Sequence, residues 1–171
     1  MTADAPSTVG EIELLRHQAH VTHVVVRLNT EGVTQEESLL QPEPAGNCLN
    51  WVVGHLVAIY ERALPVLGQQ PVMEPGAMAR YDRGSPPLRD PAQAIRLGDL
   101  LDAWDEASRR VDAGLAGLDP ATLGAPAPFS PGGDPGETMR SLLATVLFHQ
   151  GYHAGQTGIL RRLAGREGAI A

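Results

Sequence analysis

Apolar residues recur at three- and four-residue spacing through four stretches of the chain, and this periodicity predicts helices. The first begins near Thr8, where Thr8-Val9-Gly10-Glu11 has the form of a capping box, and ends near Gly32. A short segment, Thr34 to Leu40, opens with a second Thr-x-x-Glu and is cut by Pro42 and Pro44. Asn47 then caps a second long helix that runs to Leu64 or Leu67. Asp90-Pro91, a capping residue followed by proline at the first helical position, opens a third that reaches Leu118. Its buried stripe is Leu97, Leu100, Leu101, Trp104, Ala107, Val111, Leu115 and Leu118. Asp134-Pro135-Gly136-Glu137 supply cap, first-turn proline and capping glutamate for the last helix, which runs to Leu163. No alternating strand pattern and no internal repeat interrupts this reading. The predicted fold class is all-α.

Between Gly68 and Asp90 the chain is rich in proline and glycine. That stretch is long for an antiparallel hairpin and predicts a crossover between helices that are not simple neighbours. At 171 residues the chain is expected to form one domain, residues 1–171, with a substantial buried core.

Composition narrows the function classes. No apolar run approaches the roughly 20 residues that cross a bilayer, and the first residues carry no basic and then apolar leader. A single cysteine, Cys48, rules out an internal disulfide and fits a reducing compartment, so a cytoplasmic location is expected. The net charge of -7 argues against a nucleic-acid partner, which needs a basic face. There is no Ser-centred nucleophile elbow, no Cys-x-x-Cys and no glycine-rich phosphate loop.

The chemistry concentrates in histidines. His149 and His153 stand four apart, one turn and about 6 Å of axial rise from each other, the spacing with which one helix offers two imidazoles to one metal ion. On a helical wheel of about 100° per residue, Leu142, Val146, Gln156 and Leu160 fall on their side, so they are expected to face the core. His55 shares its arc with Cys48, Val52, Ile59 and Arg62 and is also expected to look inward. These three meet only if the second and fourth long helices pack together; Gly54, Gly151, Ala154, Gly155 and Gly158 are small enough for close approach. On spacing alone, three unrelated core histidines remain an equal reading. In the first helix, His20 and His23 lie on the charged arc. His17 falls beside Val21, Val24 and Leu28, on an apolar side. Cys48 reads as a small buried hydrophobe, too far along the helix to share an ion with His55.

Asn47-Cys48-Leu49-Asn50-Trp51-Val52-Val53-Gly54-His55-Leu56, with His149-Gln150-Gly151-Tyr152-His153-Ala154-Gly155-Gln156, resembles the DinB superfamily in its DinB-like and YfiT-like branch. The resemblance implies a four-helix bundle with a long crossover between the second and third helices. It also implies a metal held by one histidine of the second helix and an H-x-x-x-H pair of the fourth, here His55, His149 and His153. Cys48 departs from the small hydroxyl residue expected there.

Imidazole suits zinc, nickel, copper and iron alike; zinc or nickel is the expected ion. The pair is not H-E-x-x-H, so the glutamate base of zinc proteases is missing. Chemistry in which the ion itself deprotonates a thiol fits better. The resemblance accordingly implies a metal-dependent thiol S-transferase or isomerase, its partners a low-molecular-weight thiol and an electrophile, in a homodimer. Arg62, Gln156 and His17 are the candidate substrate-binding residues. The alternatives are a hydrolase using metal-bound hydroxide and a non-enzymatic, stress-related metal-binding dimer.

Overall fold

The most apolar helix is the one around which the others pack. In the computed structural model, which describes residues 8–170 (side chains from residue 10), α1 spans Thr8–Thr30 and a short α2 spans Gln35–Ser38. They are followed by α3 (Leu49–Ala63), α4 (Leu97–Ala116) and α5 (Met139–Leu163). Every residue from Leu49 to Ala58 is buried. That follows from its composition: an apolar surface all round a helix is stable only when neighbours cover all of it. α3 packs against α4 and α5, and α1 packs against the same two. The protein is thus all-α, with one isolated bridge, Pro126 to Thr138, in place of any strand among the described residues. No helix among them is long and apolar enough to cross a membrane.

Local chemistry sets the helix ends, in three places differently from expectation. Thr34 and Glu37 form the reciprocal capping box that Thr-x-x-Glu predicts. The capping box expected at Thr8 lies outside the described side chains. α5 starts later than expected: the Asp134 carboxylate accepts only from the Gly136 amide, and the cap is Thr138, reciprocated by Ser141. Asp90 caps a single 3-10 turn, Pro91–Gln93, after which the chain extends before α4 begins. At the start of α3 the cap is Cys48, not Asn47, and its thiol makes no capping bond. A hydroxyl there would accept from the first turn, which gives the expectation of a hydroxyl at this position a physical reason.

The inward face of α1 is Ile12, Leu15, Ala19, Thr22, Val26 and Asn29, a strict three-four alternation. Val21, Val24 and Leu28 are 38–44% exposed, so the apolar side assigned to His17 faces outward and His17 with it. The helix carries apolar residues on two sides, and periodicity alone does not say which side is covered.

The connection from α3 to α4 does not reach across to a remote helix, because those two helices touch. Its length goes into covering the end of the structure that holds the histidines. Gly68, at φ 69°, closes the turn after α3 in a conformation that other residues adopt only at a cost. Beyond it, Glu61 accepts from the amides of Val72 and Met73, and Arg110 donates to the carbonyls of Gln70 and Pro71. Met78, Tyr81 and Leu88 are buried beneath the loop. Tyr81 is the keystone: its hydroxyl donates to Asn50 Oδ1 at 3.0 Å and accepts from the Ile95 amide at 2.9 Å. Its ring lies flat against Gly54, where any side chain would overlap it. Gly54 therefore serves the approach of a loop, not the approach of two helix axes.

Gly54→Ala sets two effects against each other. Helix propensity favours alanine by about 1 kcal/mol, whereas a methyl group driven into a pinned, fully buried ring costs about 1–3 kcal/mol. The expected net result is destabilisation, read as a lower urea midpoint; an unchanged or raised midpoint contradicts it.

Candidate metal centre

His55 comes from the middle of α3, and His149 and His153 from successive turns of α5. Packing of α3 on α5 brings them together. One ring nitrogen from each lies within 4.8 Å of the others. His55 Nε2 and His149 Nε2 are 3.2 Å apart. The rings of His55 and His153 have centroids 4.8 Å apart, and those of His149 and His153 4.4 Å.

The remaining nitrogens define the protonation pattern. His55 Nδ1 lies 2.6 Å from the Tyr81 carbonyl, which can only accept, so the proton sits on Nδ1 and Nε2 presents a lone pair. His153 Nδ1 lies 2.7 Å from Gln156 Oε1, an acceptor that holds the proton there in the same way. His149 Nδ1 is buried with no hydrogen-bond partner. Trp51 stacks on His55 at 4.7 Å and 15°, and its indole N–H donates to Ser85 Oγ. Ring orientation at His55 is thus fixed from two sides by the 64–96 connection.

This donor set fits a divalent ion. Three imidazoles with ring nitrogens gathered at one point, two of them with the proton held on the far nitrogen, are the ligand type of zinc and its neighbours. Only His55 is fully buried; His149 and His153 are half-buried. They face a cavity of about 550 Å³ lined also by Asn47, Trp51, Arg83, Tyr152, Gln156 and Ile159. The α5 histidines thus stand at the border between core and cavity, while the centre of that helix's buried face is Leu143, Leu147, Gln150, Ala154 and Thr157.

The three residues expected to touch substrate fare differently. Gln156 lines the cavity, where it orients His153. Arg62 is not brought there: it pairs with Asp82 at 2.7 Å beside a separate cleft. His17 lies in a groove between α1 and α4, with Asp105 and Asp112. His23, expected at the surface, is half-buried and sits 2.7 Å from Asp105. Cys48 is buried and not part of the cavity lining, and burial raises its thiol pKa. Sequence reasoning missed Tyr81, whose contribution is a backbone carbonyl, and Arg83. The glycine beside His55 was the one available signal for the first.

Burial lowers the pKa of all three histidines. For His149 burial is joined by the positive charge of His153 and His55, and together they push it down to about 4. An unfolded histidine titrates near pH 6.5. Between those values the unfolded chain takes up a proton that the folded chain refuses, so acid favours unfolding. The metal-free protein should therefore lose stability as pH falls from about 7 to about 4. His149→Gln should lose less over the same range. Parallel urea midpoints for the two proteins across it would contradict the assignment.

Among curated proteins none matches. A crystal structure described as the conserved protein of locus from Enterococcus faecalis superposes with a TM-score of 0.67 at 16% identity. It covers 89% of this chain and 95% of its own; at that identity the likeness concerns the fold. Residues 13–157, a span containing all three histidines, match the DinB superfamily. The protein belongs to the DinB superfamily.

Proposed function

We propose that the protein is a metal-dependent thiol S-transferase or isomerase of the four-helix-bundle type with a long connection between its second and third long helices. In this reading His55, His149 and His153 hold zinc or nickel. The observation that carries it is a three-imidazole cluster open to a cavity that no carboxylate of the described residues lines. A hydrolytic or proton-abstracting site normally supplies its own base within hydrogen-bond reach, and none is present among the described lining residues.

When bound, a divalent ion supplies Lewis acidity and turns a coordinated thiol into a thiolate at neutral pH. The protein's part is orientation and exclusion. The Tyr81 carbonyl and Gln156 keep Nε2 of His55 and His153 unprotonated. Trp51, Ile159 and Leu160 form the apolar wall that limits water around the reacting sulfur. A reducing compartment such as the cytoplasm, where small thiols are abundant, suits this chemistry.

A homodimer belongs to the same reading. Phe148 and Ile159, 75% and 67% exposed, flank Gly151 and Gly155 on the outer side of α5. They form an apolar strip next to the cavity that a second copy would cover. Light scattering should give about twice the chain mass of 18.1 kDa; a monomer at micromolar concentration contradicts this part alone.

His149→Ala should lower metal affinity by more than about 100-fold, since even second-sphere losses cost about 10–100-fold. Elemental analysis after dialysis reads this directly. Propane-1-thiol should produce a sulfur-to-metal charge-transfer band in the cobalt-substituted protein, and thiol-dependent conjugation of monochlorobimane should follow. A full metal complement in His149→Ala overturns the ligand assignment. Metal without either thiol signal overturns the transferase reading.

A further inference from the structure

The cavity over the imidazoles has a charge balance that thiol activation does not use. The chain carries 20 acidic side chains and a net charge of -7, yet no Asp or Glu is found among the described residues lining this cavity. Its one charged lining residue among those described is Arg83. Arg83 is exposed and has no carboxylate partner among the described residues. The nearest acid in the chain, Asp82, is taken by Arg62.

Arg83 is also held in place. Two residues before it, the Tyr81 carbonyl meets His55; two residues after it, Ser85 Oγ accepts from Trp51. Gly84, at φ 82°, turns the chain between these anchors in a conformation suited to glycine. The span 81–85 is therefore pinned at both ends to α3, with Arg83 at its centre on the wall of the cavity that the imidazoles line.

Three neutral imidazoles do nothing to offset the double charge of a divalent ion, and Arg83 adds another positive charge at the rim. In a partly desolvated cavity such a surplus calls for an anion. The planar fork of an arginine matches a carboxylate in two parallel hydrogen bonds. The rest of the wall is mainly apolar, with Trp51, Tyr152 and Ile159 exposed to the cavity. We infer that the cavity takes an amphipathic organic acid, its carboxylate bound by Arg83 and its apolar body against Trp51, Tyr152 and Ile159. This deepens the proposed function by naming a substrate class, and it rests on that reading only for the charge of the bound ion.

The test is calorimetry on the zinc-loaded full chain with 3-phenylpropanoate and 3-phenylpropanamide, which share one apolar body and differ in charge. The acid should bind at least about tenfold more tightly than the amide, the scale of a charged hydrogen bond. Arg83→Gln should erase that preference while leaving zinc content and amide affinity unchanged, and Arg83→Lys should restore part of it. Equal binding of acid and amide by the unaltered protein overturns the inference. So does a preference that survives in Arg83→Gln, which would place the carboxylate on the ion, and so does the absence of heat from both compounds at millimolar concentration. Failure of the thiol reading is separately visible: propane-1-thiol then gives no charge-transfer band in the cobalt protein while the acid preference stands.

Discussion

The hydrogen bond from His55 Nδ1 to the Tyr81 carbonyl, 2.6 Å long, joins the two halves of the site. It sets the tautomer of the one fully buried imidazole and ties the long connection to α3. The bond exists because position 54 has no side chain, so the Tyr81 ring can lie directly on the helix backbone. The same ring satisfies Asn50 and the Ile95 amide, two polar groups that would be costly to leave unpaired inside the core. One contact thus serves packing, polar satisfaction and ligand geometry together.

The site follows a division of labour among the helices. From Leu49 to Ala58 α3 is covered on all sides, so its histidine is fixed. α5 is buried on one face only, and its histidines stand where that face gives way to the cavity. A rigid buried donor and two half-buried ones make a site that is preformed and still open to a small molecule. Gln150 strengthens the joint between the two helices by donating to the Leu56 carbonyl at 2.9 Å, one residue along from each of His55 and His149.

Electrostatics point the same way. The protein is acidic, but its carboxylates are placed elsewhere. Asp112 pairs with Arg16, Glu106 with Arg109 and Arg110, and Glu37 with Arg166. These pairs are solvent-accessible at least in part and contribute little to stability. Their consequence for function is that the cavity keeps an uncompensated positive character within a negative molecule.

The sequence by itself determined the all-α class, the four long helices and the four-residue spacing of His149 and His153, because helical periodicity and capping chemistry are local. It also made His55 a candidate, through a motif whose resemblance to the DinB superfamily the match over residues 13–157 upholds. Tertiary structure decided which side of α1 is covered, and so removed His17 from the site, since a helix apolar on two sides has no local preference between them. It also decided that Arg62 is spent on Asp82, and that Tyr81 reaches His55 and Arg83 lines the cavity instead. Those residues lie in a proline- and glycine-rich connection with no period to read. The carbonyl that orients His55 belongs to the backbone, which every sequence has, so only the folded path of the chain could reveal it.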